Sequence, residues 1–191
     1  MSKLIIIGKG GHGMVASEIA TVECVFLDDE QQENVAGKID EFDSIQQDGD
    51  EVFVAIGDNQ TRHEITQKVS PLATLIHPTA VVSQSAIIGD GTIVCAGAVI
   101  QAGAKIGKGC IINTGATVDH DCKLGDCVHI SPGAHLGGNV TVGCCTWIGI
   151  NAAVIHGISI GERSMIGAGA AVVSDIASDV TVMGVPAREK Q

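Results

Sequence analysis

The chain has 191 residues, of which 45% are hydrophobic, 17% charged and only 2% aromatic, with a formal net charge of −11. Such a composition excludes a disordered chain, the basic footprint of a nucleic-acid binder, and a core built around large rings. No apolar run approaches the ~20 residues of a membrane-spanning helix, and the length allows one domain or two small ones.

Residues 1–75 hold 14 acids against 5 bases. Met1-Ser2-Lys3 leads into the apolar Leu4-Ile5-Ile6-Ile7 with no cleavage site after it, so no signal peptide is expected. That run is a first strand entering Gly8-Lys9-Gly10-Gly11-His12-Gly13, and Met14 to Ala20 should form a helix. Cys24 to Leu27 is a second strand ending at Asp28-Asp29. Val52 to Ile56 is a third, ending at Gly57-Asp58-Asn59, with a helix over Arg62 to Val69. Alternating β and α predicts a small parallel sheet, one βαβαβ half of a doubly wound fold. Ligands bind such sheets at the carboxyl ends of the strands. The glycine-rich turn and the helix after it suit a diphosphate, and Asp28 and Asp29 could accept from a ribose or a base.

Residues 76–191 follow another rule. From Ile76 to Val172 a Val, Ile or Leu recurs every six residues at seventeen consecutive positions. Four residues after each, thirteen of the seventeen are Ala, Ser, Thr or Cys. That is the hexapeptide signature of a β-helix. Gly89, Gly107, Gly125, Gly143 and Gly161 lie 18 apart, so three hexapeptides close one coil of a three-sided prism. One corner column therefore needs glycine, for a positive φ or a tight backbone approach. Asp90, Lys108 and Asp126 should form a ladder of alternating charge beside it. Cys127 stacks on Cys145, but the odd count of seven cysteines without a zinc-type pair fits a reducing cytoplasm and free thiols.

Among seven histidines, His120 carries an acid beside it, Asp121, which can orient the imidazole and favour its protonated form. His129 lies half a coil later, so the two histidines should occupy different parts of the prism and share a site only between subunits, which points to a trimer. His77 and His63 read as structural, His63 on a surface helix. His120 and His156 share a column two coils apart, but no third ligand completes a metal site. The threonines form no flat repeated face of the kind an ice-binding β-helix needs.

Three segments carry a family resemblance: Gly8-Lys9-Gly10-Gly11-His12-Gly13, Ala55-Ile56-Gly57-Asp58-Asn59 with Arg62, and Asn113 to Gly138 containing His120-Asp121, with the Gly184-Val185-Pro186-Ala187 ending. Together they resemble the bacterial sialic-acid O-acetyltransferase and UDP-4-amino-sugar N-acetyltransferase family. The resemblance implies a mixed fold: an α/β nucleotide-sugar domain over 1–75, then a left-handed β-helix over 76–191. It implies an acetyl-CoA-dependent N-acetyltransferase acting on a UDP-linked amino sugar, with O-acetylation of a sialic acid as the alternative and no metal. His120 would be the general base and Asp121 its modulator, shorter than the glutamate of the nearest family pattern. His129, Ile150 and Ala168 would contact acetyl-CoA. Gly10, Gly11, His12, Asp28, Asp29 and Gly57 would contact the nucleotide sugar.

Overall fold

The structure is a computed structural model describing residues 2–30 and 33–190. Its first sheet has three parallel strands, β1 (Leu4–Ile7), β2 (Cys24–Leu27) and β3 (Glu51–Val54), in the order β2-β1-β3. β1 is the central strand, and all four of its residues are buried, as an unbroken apolar run in a parallel sheet requires. Helix α1 (Gly11–Ile19) starts at the glycines, three residues before the expected Met14. Helix α3 (Asn59–Thr66) likewise starts three residues before Arg62, because Asp58 caps it: its Oδ1 accepts the Thr61 N–H at 2.8 Å. A 3₁₀ turn (Ile39–Glu41) and the single-turn α2 (Phe42–Ile45) were not expected from the sequence. They lie in an acidic stretch without apolar period, anchored by the buried Phe42.

From Leu75 onward the strands are almost all two residues long, recur every six residues, and stack in register with strands 18 residues away. They make an eight-stranded, a six-stranded and a five-stranded sheet, the three faces of a β-helix. From Val94 to Val172 every repeat aliphatic is buried inside the prism, joined by the small residues four positions on, such as Ala98, Ala104 and Cys110. Each such side chain contributes roughly 1.5–3 kcal/mol of burial. Ile76, at the open first coil, is 45% exposed.

The glycine column serves close approach rather than positive φ. A Cβ on Gly107 would stand 2.6 Å from the Gly125 carbonyl carbon, and one on Gly125 2.7 Å from the Cys144 nitrogen. The left-handed residue comes two positions later, at Gly91, Gly109, Cys127, Cys145 and Arg163. The expected ladder of Asp90, Lys108 and Asp126 stacks on successive coils, but not through ion pairs: Asp126 Oδ1 accepts the Lys108 backbone N–H at 2.8 Å, and among the described residues the Lys108 ammonium pairs with no carboxylate. The tight corner brings the next coil's N–H nearer to the carboxylate than a flexible ammonium comes. All seven cysteines are free.

The eight-stranded face positions everything else. Its outward residues, one per coil, are Leu75, Ile93, Ile111, His129, Trp147 and Met165. Leu75, Ile93 and Ile111 are buried with Leu4, Ile6, Ala16 and Phe53 in one apolar cluster, so the α/β unit sits on the first three coils. His129 is the next position, still buried with Arg62 and His12 nearby, and the cover thins only at Trp147 beyond it.

Candidate active site

Three places gather the sequence-predicted residues. At the carboxyl end of β1, Gly10 is the N-cap of α1 and offers no side-chain cap. A Cβ added at Gly10, Gly11 or Gly57 would meet nothing within 4 Å, and none of the three has a positive φ. The protein's own packing does not ask for glycine there; an incoming ligand would. Gly13 differs, since a Cβ would collide with the Gly8 carbonyl and push α1 off the turn. The open N–H groups of a nine-residue helix suit a phosphate despite the acidic net charge.

Asp28 lies beside this turn with both carboxylate oxygens engaged: Oδ2 accepts the Lys9 N–H at 2.7 Å and Oδ1 the Glu30 N–H at 2.9 Å. Its visible work is to hold the loop. Asp29 Oδ1 accepts the Ile39 N–H at 3.2 Å, and its side chain borders a cavity of about 570 Å³ with Lys38, Phe42 and Lys68. His12 packs against Phe53, ring centroids 5.9 Å apart, with Nε2 buried and unpartnered. Burial, with the Arg62 guanidinium nearby, holds its pKa down at about 4, so it is neutral at pH 7.

Arg62 is the residue whose structural role the sequence reading missed. It is 1% exposed, and all five of its N–H donors are used on neutral oxygens. Nε donates to Gly109 O (2.8 Å), Nη1 to Ile56 O (2.9 Å) and Gly57 O (3.1 Å), and Nη2 to Asn59 Oδ1 (2.7 Å) and Cys127 O (2.8 Å). Asn59 Nδ2 donates to Cys145 O at 3.1 Å. The carbonyls of residues 109, 127 and 145 form one column, one per coil, and α3 lies along that corner. The helix expected around His63 is at the surface but docked by one face: Asn59, Arg62 and Thr66 are buried, Gln60, Thr61 and Glu64 are exposed, and His63 Nδ1 is buried. The only arginine among residues 1–75, one helical turn after an asparagine, was the available signal.

On the eight-stranded face, His129 stacks on Trp147, centroids 5.0 Å apart and planes at 18°. Trp147 Nε1 donates to Ser131 Oγ at 2.6 Å. Asn113 Oδ1 accepts the Thr114 N–H at 2.8 Å, which turns its Nδ2 toward His129 Nε2, 3.2 Å away. Nε2 then accepts and the ring proton sits on Nδ1, which is buried without a partner. Burial, then Arg62 and His12, push the His129 pKa down to about 3. Trp147 walls a groove of about 220 Å³ whose other sides include Ile150, Met165 and Ala168. Ile150 is 52% exposed, an apolar edge that the arm of a long thioester could cover. His129, Ile150 and Ala168 thus gather around one tryptophan.

His120 stands elsewhere, on the corner between the six-stranded and five-stranded faces, whereas the groove lies on the corner between the eight- and six-stranded faces. Asp121 has φ 58°, and this left-handed backbone turns its carboxylate to the imidazole. His120 Nδ1 donates to Asp121 Oδ2 at 2.9 Å, and the His120 N–H donates to Asp119 Oδ1 at 2.7 Å. A carboxylate only accepts, so Nδ1 holds the proton and Nε2 is left as a base. The hydrogen bond to Asp121 raises the His120 pKa above its ordinary value. Among the described residues no cluster of three or more His, Cys, Asp or Glu could hold a metal, and no helix is long and apolar enough to cross a membrane.

The prism thus has one corner for docking α3, one for a groove and one for a base. Residues 3–69 match the PglD N-terminal domain family, and residues 103–138 match the bacterial transferase hexapeptide family of six repeats. The whole chain is similar to the acetyltransferase domain of PglB from Neisseria gonorrhoeae FA1090, at 43% identity, full coverage of both chains and a TM-score of 0.95. The same domain is matched in complex with acetyl coenzyme A, at 44% identity, 98% of each chain and a TM-score of 0.95. A histidine mutant of perosamine N-acetyltransferase from Caulobacter crescentus, in complex with CoA and GDP-perosamine, matches at 38% identity over 100% of this chain and 98% of that one, with a TM-score of 0.96. UDP-N-acetylbacillosamine N-acetyltransferase of Bacillus subtilis (strain 168) is 40% identical over 114 residues, 50% of this chain; the chain spans about half of that relative's length, 52%.

Proposed function

The chain belongs to the bacterial sugar N-acetyltransferases that join a PglD-type N-terminal domain to hexapeptide repeats, and we propose from that premise that it acetylates the 4-amino group of a UDP-linked amino-deoxy sugar. Acetyl-CoA is the donor. The observation that carries the reading is the His120–Asp121 pair, which leaves an exposed imidazole with a free Nε2 lone pair.

The open glycines at residues 10, 11 and 57 would receive the diphosphate and sugar end of the nucleotide, with His12 and Asp29 beside it. Acetyl-CoA would lie in the Trp147 groove along Ile150 and Ala168, with its thioester near His129. His120 Nε2 takes a proton as the amine attacks the thioester carbonyl. The C–N bond forms, the C–S bond breaks, and the imidazolium returns that proton to the departing thiolate, so CoA leaves as the thiol without an acyl-enzyme. Asp121 stabilises the imidazolium that results. Holding both substrates in place supplies much of the acceleration.

The corner that bears His120 and the corner that bears the groove are separated by the six-stranded face. A homotrimer of prisms, in which one chain's groove meets its neighbour's base, unites them, and the cytoplasm is the setting in which both substrates and free thiols fit. His120→Ala should lower kcat about 10²–10⁴-fold, the scale of general-base catalysis. Thiol release from acetyl-CoA, measured across UDP- and GDP-linked amino sugars and sialic acids, tests the reading. Turnover with sialic acid alone, or an undiminished His120→Ala rate, would overturn it.

A further inference from the structure

Gly138 is a glycine without the usual reasons for one. Its φ is not positive, unlike that of Gly91 or Gly109. Nor does the next coil press on it. A Cβ on its neighbour Gly137 would stand 2.8 Å from the His156 backbone nitrogen, and one on Gly143 2.6 Å from the Glu162 nitrogen. At Gly138 the nearest atoms all belong to one side chain, the His120 imidazole. A Cβ there would lie 2.6 Å from Cε1 and 3.0 Å from Cδ2, with Nε2 nearer still. Gly138 is one coil along the column from His120, and these distances put the Cβ over the face of the ring at Nε2, so the imidazole lies face-on against the bare α-carbon.

We infer that Gly138 is a positioning residue, a seat whose missing side chain fixes the catalytic imidazole and leaves its proton-accepting edge clear. The inference rests on the role proposed for His120. Carbon atoms at rest lie about 3.5–4.0 Å apart, so a methyl at 138 forces the ring back by about 1 Å. The ring is a side chain that can swing, and the three nearest atoms include no backbone, so the coil itself should survive. The retreat has two consequences. It opens the 2.9 Å contact between His120 Nδ1 and Asp121 Oδ2, and it carries the Nε2 lone pair away from the place where the reacting amine must meet it. A displacement of about 1 Å at a catalytic group can cost about 10²-fold in rate.

The test is Gly138→Ala, read first without any substrate. The ring protons of His120, assigned by comparison with His120→Asn, are titrated by NMR in wild type and variant. The expected result is a His120 pKa that falls toward its ordinary value of about 6.5 as the Asp121 contact opens. The urea midpoint should stay at the wild-type value, whereas Gly143→Ala, which meets backbone, should lower it. With a turned-over substrate, kcat should fall at least about tenfold with KM for acetyl-CoA unchanged, and adding His120→Ala should cost little more than His120→Ala alone. An unshifted His120 titration in a folded Gly138→Ala protein overturns the seat, whatever the substrate proves to be. A shifted titration with no turnover of any amino sugar would leave the seat standing and sink the proposed reaction instead.

Discussion

Replacing Arg62 by Met tests how the two units are held together. The guanidinium is buried and donates five hydrogen bonds to oxygens that carry no formal charge, two of them on adjacent coils of the prism. Hydrogen bonds to a charged group contribute about 1.5–3 kcal/mol each; five at the lower figure give about 7 kcal/mol. Against this stands the cost of burying the cation, several kcal/mol and here taken as about 3. The net loss on Arg62→Met is about 4 kcal/mol. Arg62→Lys keeps the cost of burial but has only three N–H donors, so at least two acceptors go unpaired and about 3 kcal/mol is lost. Trp147, the single tryptophan, lines a cleft with Asn59 and Gln60 and reports the docking of α3 by its fluorescence. In urea, both variants should lose the Trp147 signal well before wild type, Lys barely better than Met. If Arg62→Met comes within about 1 kcal/mol of wild type, or Lys restores full stability, the donor count is not what holds the units together.

Asp121→Asn should move the acid limb of kcat/KM to lower pH. Asp121 raises the His120 pKa, the base works when neutral, and losing the carboxylate lets it lose its proton earlier; a limb that stays in place refutes the coupling. His12 and His129, held down to about 4 and 3, bind protons in the unfolded chain but not in the folded one between those values and about 6.5. Their contribution is therefore complete above pH 6.5 and falls with pH, by up to about 2 kcal/mol each at pH 5, a loss that His129→Phe should reduce in acid urea titrations. Trp147→Ala removes one wall of the groove and should raise KM for acetyl-CoA about 5- to 10-fold with little change in kcat; an unchanged KM places the thioester arm elsewhere.

The sequence was most readable where one residue type answers to one periodic demand. The six-residue aliphatic column and the 18-residue glycine column fixed coil, core and corner, because every coil repeats the same contacts. β1 was legible for a similar reason: four apolar residues in a row fit only a strand covered on both sides. The starts of α1 and α3 were missed by one turn, since the signals were a bare glycine N-cap and the Asp58 cap rather than apolar spacing. Arg62 was illegible in its role because its partners are carbonyls, which every residue has, brought under it by coils 47 and 65 residues away. His120 and Asp121 could be singled out as neighbours. Their relation to Gly138 needed the coil arithmetic and a glycine asked what it makes room for.

The outward ladder of the eight-stranded face behaves as a ruler. Three rungs, Leu75, Ile93 and Ile111, lie under the α/β unit, and the fourth is His129. Rungs are about 4.8 Å apart. The count of coils between the nucleotide turn and the Trp147 groove therefore sets the reach between the two substrate sites. One extra 18-residue coil inserted between Ile93 and Ile111 would preserve every local contact of the prism. It would still carry His129 and the groove one step away from the sugar. The same insertion after Val172 would lengthen the prism beyond the site and leave that distance unchanged.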